Sequence, residues 1–217
     1  MKKTAVQLDF DGTVTLEDIS YLLLDRFSGG DWHMYLDEYA SGDISVGSFN
    51  QSAFGMIKAD EKTLTDFVLN SPRTVIRPGL KDFTDYCAVQ GLKIIVVSNG
   101  LTFYIKAILK KLDIEGPEIH AAENVFSPAG MRVRYLDPDG KEVDTGFKET
   151  YTDMLLREGH EVIYIGNGSS DISPARKARY VFATANLLRR CRLENLNCYP
   201  YEDFHDVIET MKNLKLD

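Results

Sequence analysis

LDFDGTVT, residues 8–15, ends an apolar run with Asp9 and Asp11 and turns at once through Gly12 and Thr13. Two carboxylates one residue apart raise each other's cost of ionisation, so the pair needs a cation or a chemical task to be tolerable there. The run leading into it, TAVQLDF at 4–10, has the unbroken apolar character of a strand covered on both faces, and LKIIVVSN at 92–99 and EVIYIGN at 161–167 share it. A shorter run, YVFAT at 180–184, follows. Helical patterns, LKDFTDYCAVQ, TFYIKAILKKL and FKETYTDMLLREG, separate these strands. The alternation predicts an α/β fold with a mostly parallel sheet.

Between residues 15 and 77 the alternation stops. EDISYLLLDRF, DWHMYLDEYA, SVGSFNQSAFGMI and EKTLTDFVLN read as four helices with Gly, Asp or Ser breaks. The division expected is therefore an α/β core over 1–14 and 78–217 and a helical cap over 15–77, inserted after the first strand. Ligands of open α/β sheets bind at the carboxyl ends of the strands, which a cap launched from there would cover. A second insertion, GMRVRYLDPDGKEVDTG at 130–146, reads as a small β-hairpin with MRVRYL and KEVDT flanking the turn PDG.

With 44% hydrophobic and 27% charged residues in 217, the chain has the composition of a globular protein with one substantial core. A net charge of −8 with scattered Lys and Arg gives no footprint for nucleic acid. No apolar stretch reaches the length of a membrane span, so no membrane partner is expected. Cys87, Cys191 and Cys198 form no CxxC pair, which fits a reducing, cytoplasmic setting. His33, His120, His160 and His205 lack metal-ligand spacing, and no P-loop run is present.

The strand ends carry the chemistry. Asp9 and Asp11 end the first, Ser98-Asn99-Gly100 the second, and GNGSSD, residues 166–171, the third; Lys148 opens the helix before it. In a parallel sheet these ends share one edge, so the groups converge. Oxygen ligands on a tight turn suit Mg2+, which keeps waters and binds substrate phosphate. Ser98 with the following backbone N–H groups, and Lys148, make an anion site. The implied ligand is a phosphate.

In this order, DFDGTVT, VVSNG, Lys148 and GNGSSD resemble the four motifs of the haloacid dehalogenase-like (HAD) phosphatases, whose core is Rossmann-like. The resemblance implies that Asp9 is the nucleophile forming an aspartyl-phosphate and Asp11 the acid and base, its carbonyl also ligating magnesium. Thr13, Ser98, Asn99, Gly100 and Lys148 would bind phosphate, and Asn167 and Asp171 would complete the metal shell with Asp9 and Asp11. That family usually has an aspartate where this chain has Asn167, which implies weaker magnesium binding. A phosphotransferase or mutase, and a non-catalytic phosphate-binding protein, remain alternatives to a phosphatase.

Glu17 and Asp18 open the first cap helix. Asp18 corresponds in position to the acid that grips the amino group in phosphoserine phosphatases, and either residue also suits a helix N-terminus. The tail ANLLRRCRLENLNCYPYEDFHDV, 185–207, is similar to that of the methionine-salvage phosphatases acting on 2-hydroxy-3-keto-5-methylthiopentenyl-1-phosphate, although their cysteine-rich insertion is absent. The expected partner is a small phosphorylated metabolite, with the chain a monomer or homodimer.

Overall fold

The computed structural model describes residues 3–214. Its seven-stranded sheet has the order β4-β3-β2-β1-β5-β6-β7. The strands are β1 (Lys3–Leu8), β2 (Lys93–Leu101), β3 (Glu118–Ser127), β4 (Gly130–Arg134), β5 (His160–Gly166), β6 (Tyr180–Ala183) and β7 (Tyr199–Pro200). All pairings are parallel except β3 with β4. Leu8 lies opposite Val96 of β2 and Ile165 of β5, so the carboxyl end of β1 is flanked by theirs. The chain leaves β1 for β2 on one side and returns to β5 on the other, the reversal of strand order at which open α/β sheets bind ligands.

The apolar run of β1 is buried as its sequence predicts, Ala5 and Val6 being fully covered. Gln7, polar and in the middle of this run, is also buried, and both ends of its amide are bonded. Gln7 Nε2 donates to the Lys148 carbonyl at 2.8 Å and Gln7 Oε1 accepts from Thr152 Oγ1 at 2.7 Å. Both partners lie on α7 (Phe147–Arg157), so a central strand residue fixes where Lys148 begins its helix.

Four helices follow β1: α1 (Ile19–Phe27), α2 (His33–Ser41), α3 (Val46–Gly55) and α4 (Glu61–Asn70). Asp18, Ser45 and Asp60 cap three of them by accepting backbone N–H bonds. The two ends of this segment meet in a short antiparallel ribbon, with Thr15 opposite Ile76, Leu16 N donating to Val75 O and Arg77 N to Val14 O. Then come α5 (Leu80–Val89), α6 (Thr102–Lys111), α7, the short α8 (Ile172–Ala175), α9 (Ala185–Leu193) and α10 (Phe204–Asn213).

The expected hairpin is differently made. MRVRYL does supply a strand, β4, but its partner is β3 across the turn at 128–129, with Phe126 opposite Met131. The PDG turn closes only a single bridge, Leu136 to Glu142. Asp137 Oδ1 takes the N–H groups of Asp139 and Lys141, so local side-chain bonds replace a longer ladder there. β2 also runs past Ser98 to Leu101, with a register shift against β3 between Val97 and Leu101.

Candidate active site

Asp9 leaves β1 with its N–H still bonded to Ile165 O at 3.0 Å, extending the ladder by one residue. The residue is 4% exposed. The Lys148 ammonium lies 2.7 Å from Asp9 Oδ1 and 2.6 Å from Asp171 Oδ1, buried between them. Thr13 Oγ1 stands 3.3 Å from Asp9 Oδ2 and 3.1 Å from Asn167 Oδ1, so one hydroxyl ties the first strand end to the third. Gly12 has φ of 74°, and a Cβ there would meet Asn167 Nδ2 at 2.1 Å; the turn needs glycine twice over, for conformation and for space.

Asp11 faces the inserted helices. Its Oδ1 accepts from Ile19 N at 3.0 Å and its Oδ2 from Tyr104 OH at 2.6 Å. Ser98 is 1% exposed and its Oγ accepts from Gly100 N at 3.0 Å. Asn99 O is held by Tyr135 OH at 2.5 Å, and Asn50 Nδ2 of α3 donates to that phenol. Asp9, Asp11, Ser98, Asn99, Gly100, Lys148 and Asn167 all line one cleft of about 380 Å³. The convergence expected from the strand ends is therefore present. Thr13 sits directly beneath that cleft, fully buried.

Asp171 and Glu17 do not line the cleft. Asp171 is wholly buried; its Oδ1 meets Lys148 and Tyr164 OH, each at 2.6 Å, and its Oδ2 accepts from Asn167 N and Gly168 N at 2.9 and 2.7 Å. With four donors on two oxygens, it orients Lys148 and the 166–168 loop, and direct ligation of a metal would require it to give up some of them. Glu17 points away from the cleft into a pair with Arg73 at 2.6 Å, half-exposed at the base of the insertion. Asp18 caps α1, its Oδ1 accepting from Tyr21 N at 3.1 Å, and it also lines the cleft.

Four acids crowd this volume with one lysine among them, and the electrostatics follow. Burial pushes Asp9 up to about 7, the charge of Asp171 adding to the rise and Lys148 opposing it. Asp11 is raised well above the carboxylate range by burial and the charge of Asp18, against the hydrogen bond from Tyr104. Burial raises Asp18 to about 6. Burial works against the Lys148 charge, but Asp171 and Asp9 outweigh it and keep the ammonium protonated. A further cation would relieve the acids. The donors offered are hard oxygens, Asp9 Oδ2 and Asn167 Oδ1 reaching the same hydroxyl, which fits Mg2+ with its retained waters. Among the described residues no group of three or more His, Cys, Asp or Glu is arranged to hold a metal, so amide and backbone oxygens would have to share the task.

Several residues that build the site carry no sequence motif: Arg77, Tyr104, Tyr164, Tyr135 and Asn50. Arg77 is buried and donates to Thr13 O, Gly12 O and Glu202 O at 2.7, 2.8 and 2.6 Å, pinning the DxDGT turn from behind. A signal existed only for Tyr164, a phenol inside a buried strand, which demands a hydrogen-bond partner.

A curated 2-hydroxy-3-keto-5-methylthiopentenyl-1-phosphate phosphatase from Brevibacillus brevis is 25% identical over 218 residues, covering 99% of this chain and 97% of its own. A Bacillus pumilus protein of the same name is 27% identical over 219 residues, covering 99% and 94%. A solved substrate-bound phosphoserine phosphatase complex superposes with a TM-score of 0.71 at 17% identity, covering 97% of this chain and 99% of that one, which speaks for the fold. The family profile described as haloacid dehalogenase-like hydrolase matches residues 6–176, and the chain belongs to that family.

Proposed function

We propose that the chain is a Mg2+-dependent phosphomonoester phosphatase that acts on a small phosphorylated metabolite through an aspartyl-phosphate on Asp9. One observation carries this reading: a buried lysine placed 2.7 Å from Asp9 and 2.6 Å from Asp171, at the strand-order reversal and in the same cleft as Asp11. Lys148 holds the Asp9 carboxylate through Oδ1 and orients it for attack on phosphorus. Lys148 and Ser98 then stand where the phosphoryl oxygens need positive charge and donors, and Gly100 N exchanges its Ser98 partner for phosphate. Asp11 gives its proton to the leaving oxygen and, once ionised, takes one from the water that hydrolyses the intermediate. Asp9, the Asp11 carbonyl and Asn167 would hold magnesium, which supplies neutralising charge to the phosphoryl oxygens.

Residues 15–77 act as the cap, and their side chains read the leaving group. Leu16, Tyr21, Tyr39, Val46 and Phe49 form an apolar and phenolic wall around Asn50 and Asp18. Among the described residues lining the cleft, Lys148 is the sole cation, and it is already shared by two acids. A leaving group bearing a carboxylate finds no counter-charge there, whereas a neutral hydroxy or keto compound with an apolar end is matched. This favours the substrate type named for the curated relatives over phosphoserine.

The relatives' names also favour water as acceptor over a second alcohol. The test is phosphate release from a panel of phosphorylated metabolites with Mg2+ or chelator, in the parent protein and in Asp9→Asn. Metal-dependent release that vanishes in the variant is expected, and neutral esters should lead the panel. Retained turnover in Asp9→Asn removes the nucleophile assignment; phosphate found on an added alcohol with little set free makes the chain a transferase.

A further inference from the structure

Tyr104 sits at the start of α6, fully buried between Phe10 and Phe103, with ring centroids at 6.3 and 5.5 Å. Its hydroxyl donates to Asp11 Oδ2 at 2.6 Å and lies 2.9 Å from Ser20 Oγ. A phenol has one proton, and here the carboxylate takes it, so Ser20 is the donor to Tyr104. The result is a chain of hydrogen bonds, Ser20 to Tyr104 to Asp11, in which each member polarises the next. The other oxygen of Asp11 is held by Ile19 N at 3.0 Å. Ile19 and Ser20 are the first two residues of α1, in the inserted segment, while Tyr104 belongs to the core. Gly100 leaves room for the arrangement, since a Cβ there would meet Tyr104 OH at 2.0 Å and Asp11 Oδ2 at 2.2 Å.

We propose that Tyr104 is a positioning residue for proton transfer by Asp11, and that it shares this task with the N-terminus of α1. One donor on each oxygen fixes the plane of the Asp11 carboxyl. Without the phenol the side chain is held at Oδ1 alone and is free to rotate about that bond. Misplacement of an acid by an ångström is enough to lose most of its effect. The inference rests on the phosphatase reading: as the bond from an Asp9 carboxylate oxygen to phosphorus forms and the ester P–O bond breaks, the electron pair passes to the ester oxygen, and the Asp11 proton goes to that same oxygen. The demand for this proton depends on the leaving group. An alkoxide needs it badly, while p-nitrophenolate departs without it.

The experiment compares kcat/KM for propyl phosphate and p-nitrophenyl phosphate, at saturating Mg2+, in the parent protein, Tyr104→Phe, Ser20→Ala and Asp9→Asn. Positioned acid catalysis is worth about 10²- to 10⁴-fold, so its partial loss in Tyr104→Phe lowers the propyl phosphate value by about tenfold or more. The p-nitrophenyl value stays within about threefold, which also reports that the variant is folded. Ser20→Ala shows the same selectivity at smaller size. An equal fall for both esters, or no change in their ratio, overturns the positioning role and leaves Tyr104 as packing. Turnover retained in Asp9→Asn would instead strike the phosphatase reading, whatever the ratio shows.

Discussion

Replacing Lys148 by Met removes the one cation that stands between two buried carboxylates. Lys148 is 5% exposed as a side chain, Asp9 5% and Asp171 0%, so water is poorly placed to substitute. Breaking a buried ion pair from one side costs about 3–5 kcal/mol. For a chain of this length each kcal/mol shifts the melting temperature by about 2–4 °C, so a fall of roughly 6–20 °C is expected. The pH dependence has a definite sign. Asp9 already has a folded pKa near 7, above that of the unfolded chain, through burial and the charge of Asp171. Its native state therefore holds a proton that the unfolded state releases, and ionising it destabilises the fold as pH rises from about 4 through 7. Without the lysine that opposes this rise, the native preference for protonated Asp9 grows. The deficit of Lys148→Met should therefore be largest near pH 8 and shrink toward pH 5. Thermal and urea melts in chelator at several pH values measure it. A shift under about 2 °C with no pH trend would mean that the acids are not sealed from solvent, and the buried-pair reasoning would fail.

Asn167→Asp adds a charge where Asn167 Oδ1 and Asp9 Oδ2 meet Thr13, so it should lower the Mg2+ needed for half-maximal rate and enlarge the rise in melting temperature that Mg2+ produces; an unchanged or higher requirement in both titrations counts against Asn167 as a ligand. Gly12→Ala places a methyl 2.1 Å from Asn167 Nδ2 at φ of 74°, and should cost about 1–2 kcal/mol in backbone strain alone, together with activity, read by urea melts and phosphate release. His205 bonds Asp82 at 3.0 Å, which raises its pKa above the usual 6.5. Its contribution is complete below the unfolded pKa and lost as pH rises through the folded one, so His205→Ala should destabilise slightly at pH 5.5 and not at pH 8.5, with salt shrinking the difference. Equal melting shifts at both pH values would show packing against Gly79 to be the larger effect.

The strands that proved legible were those whose neighbours cover both faces: β1, β2, β5 and β6 announce themselves as apolar runs because nothing else can occupy the middle of a sheet. The four helices after β1 were equally plain from their spacing and the Gly, Asp and Ser breaks between them, and Asp18, Ser45 and Asp60 mark the starts of three. β3 was hidden. Its sequence, EIHAAENVFS, carries no long apolar run, only Ala121 and Ala122 being buried, and its partner β4 is held against the inserted segment, where Met131 N bonds Ile57 O. Local turn chemistry pointed to PDG instead, and Asp137 absorbed that signal into a loop.

For the site, the motif residues were legible because each closes a strand or opens a helix at one edge of the sheet. Their supports were not, since Gln7, Arg77, Tyr104 and Tyr135 act across separations in sequence that no local pattern spans. Asp171 shows the limit most clearly. A carboxylate in a glycine-rich loop reads as a metal ligand, yet four donors, two of them its own loop's backbone N–H groups, claim its oxygens. Glu17 differs from its neighbour Asp18 for a similar reason: only Arg73, distant in sequence, decides which way it turns.

Chemical capture of the intermediate tests attack by Asp9 most directly. The enzyme is mixed with a turned-over ester and Mg2+, quenched in acid, reduced with borohydride and digested, and the peptide containing residues 4–10 is sequenced by mass spectrometry. An acyl phosphate on Asp9 predicts conversion of that residue alone to homoserine, only when substrate and metal were both present. Steady turnover with Asp9 unmodified under the same quench, or modification at Asp11 or Asp171 in its place, would contradict the assignment of Asp9 as the group that attacks phosphorus.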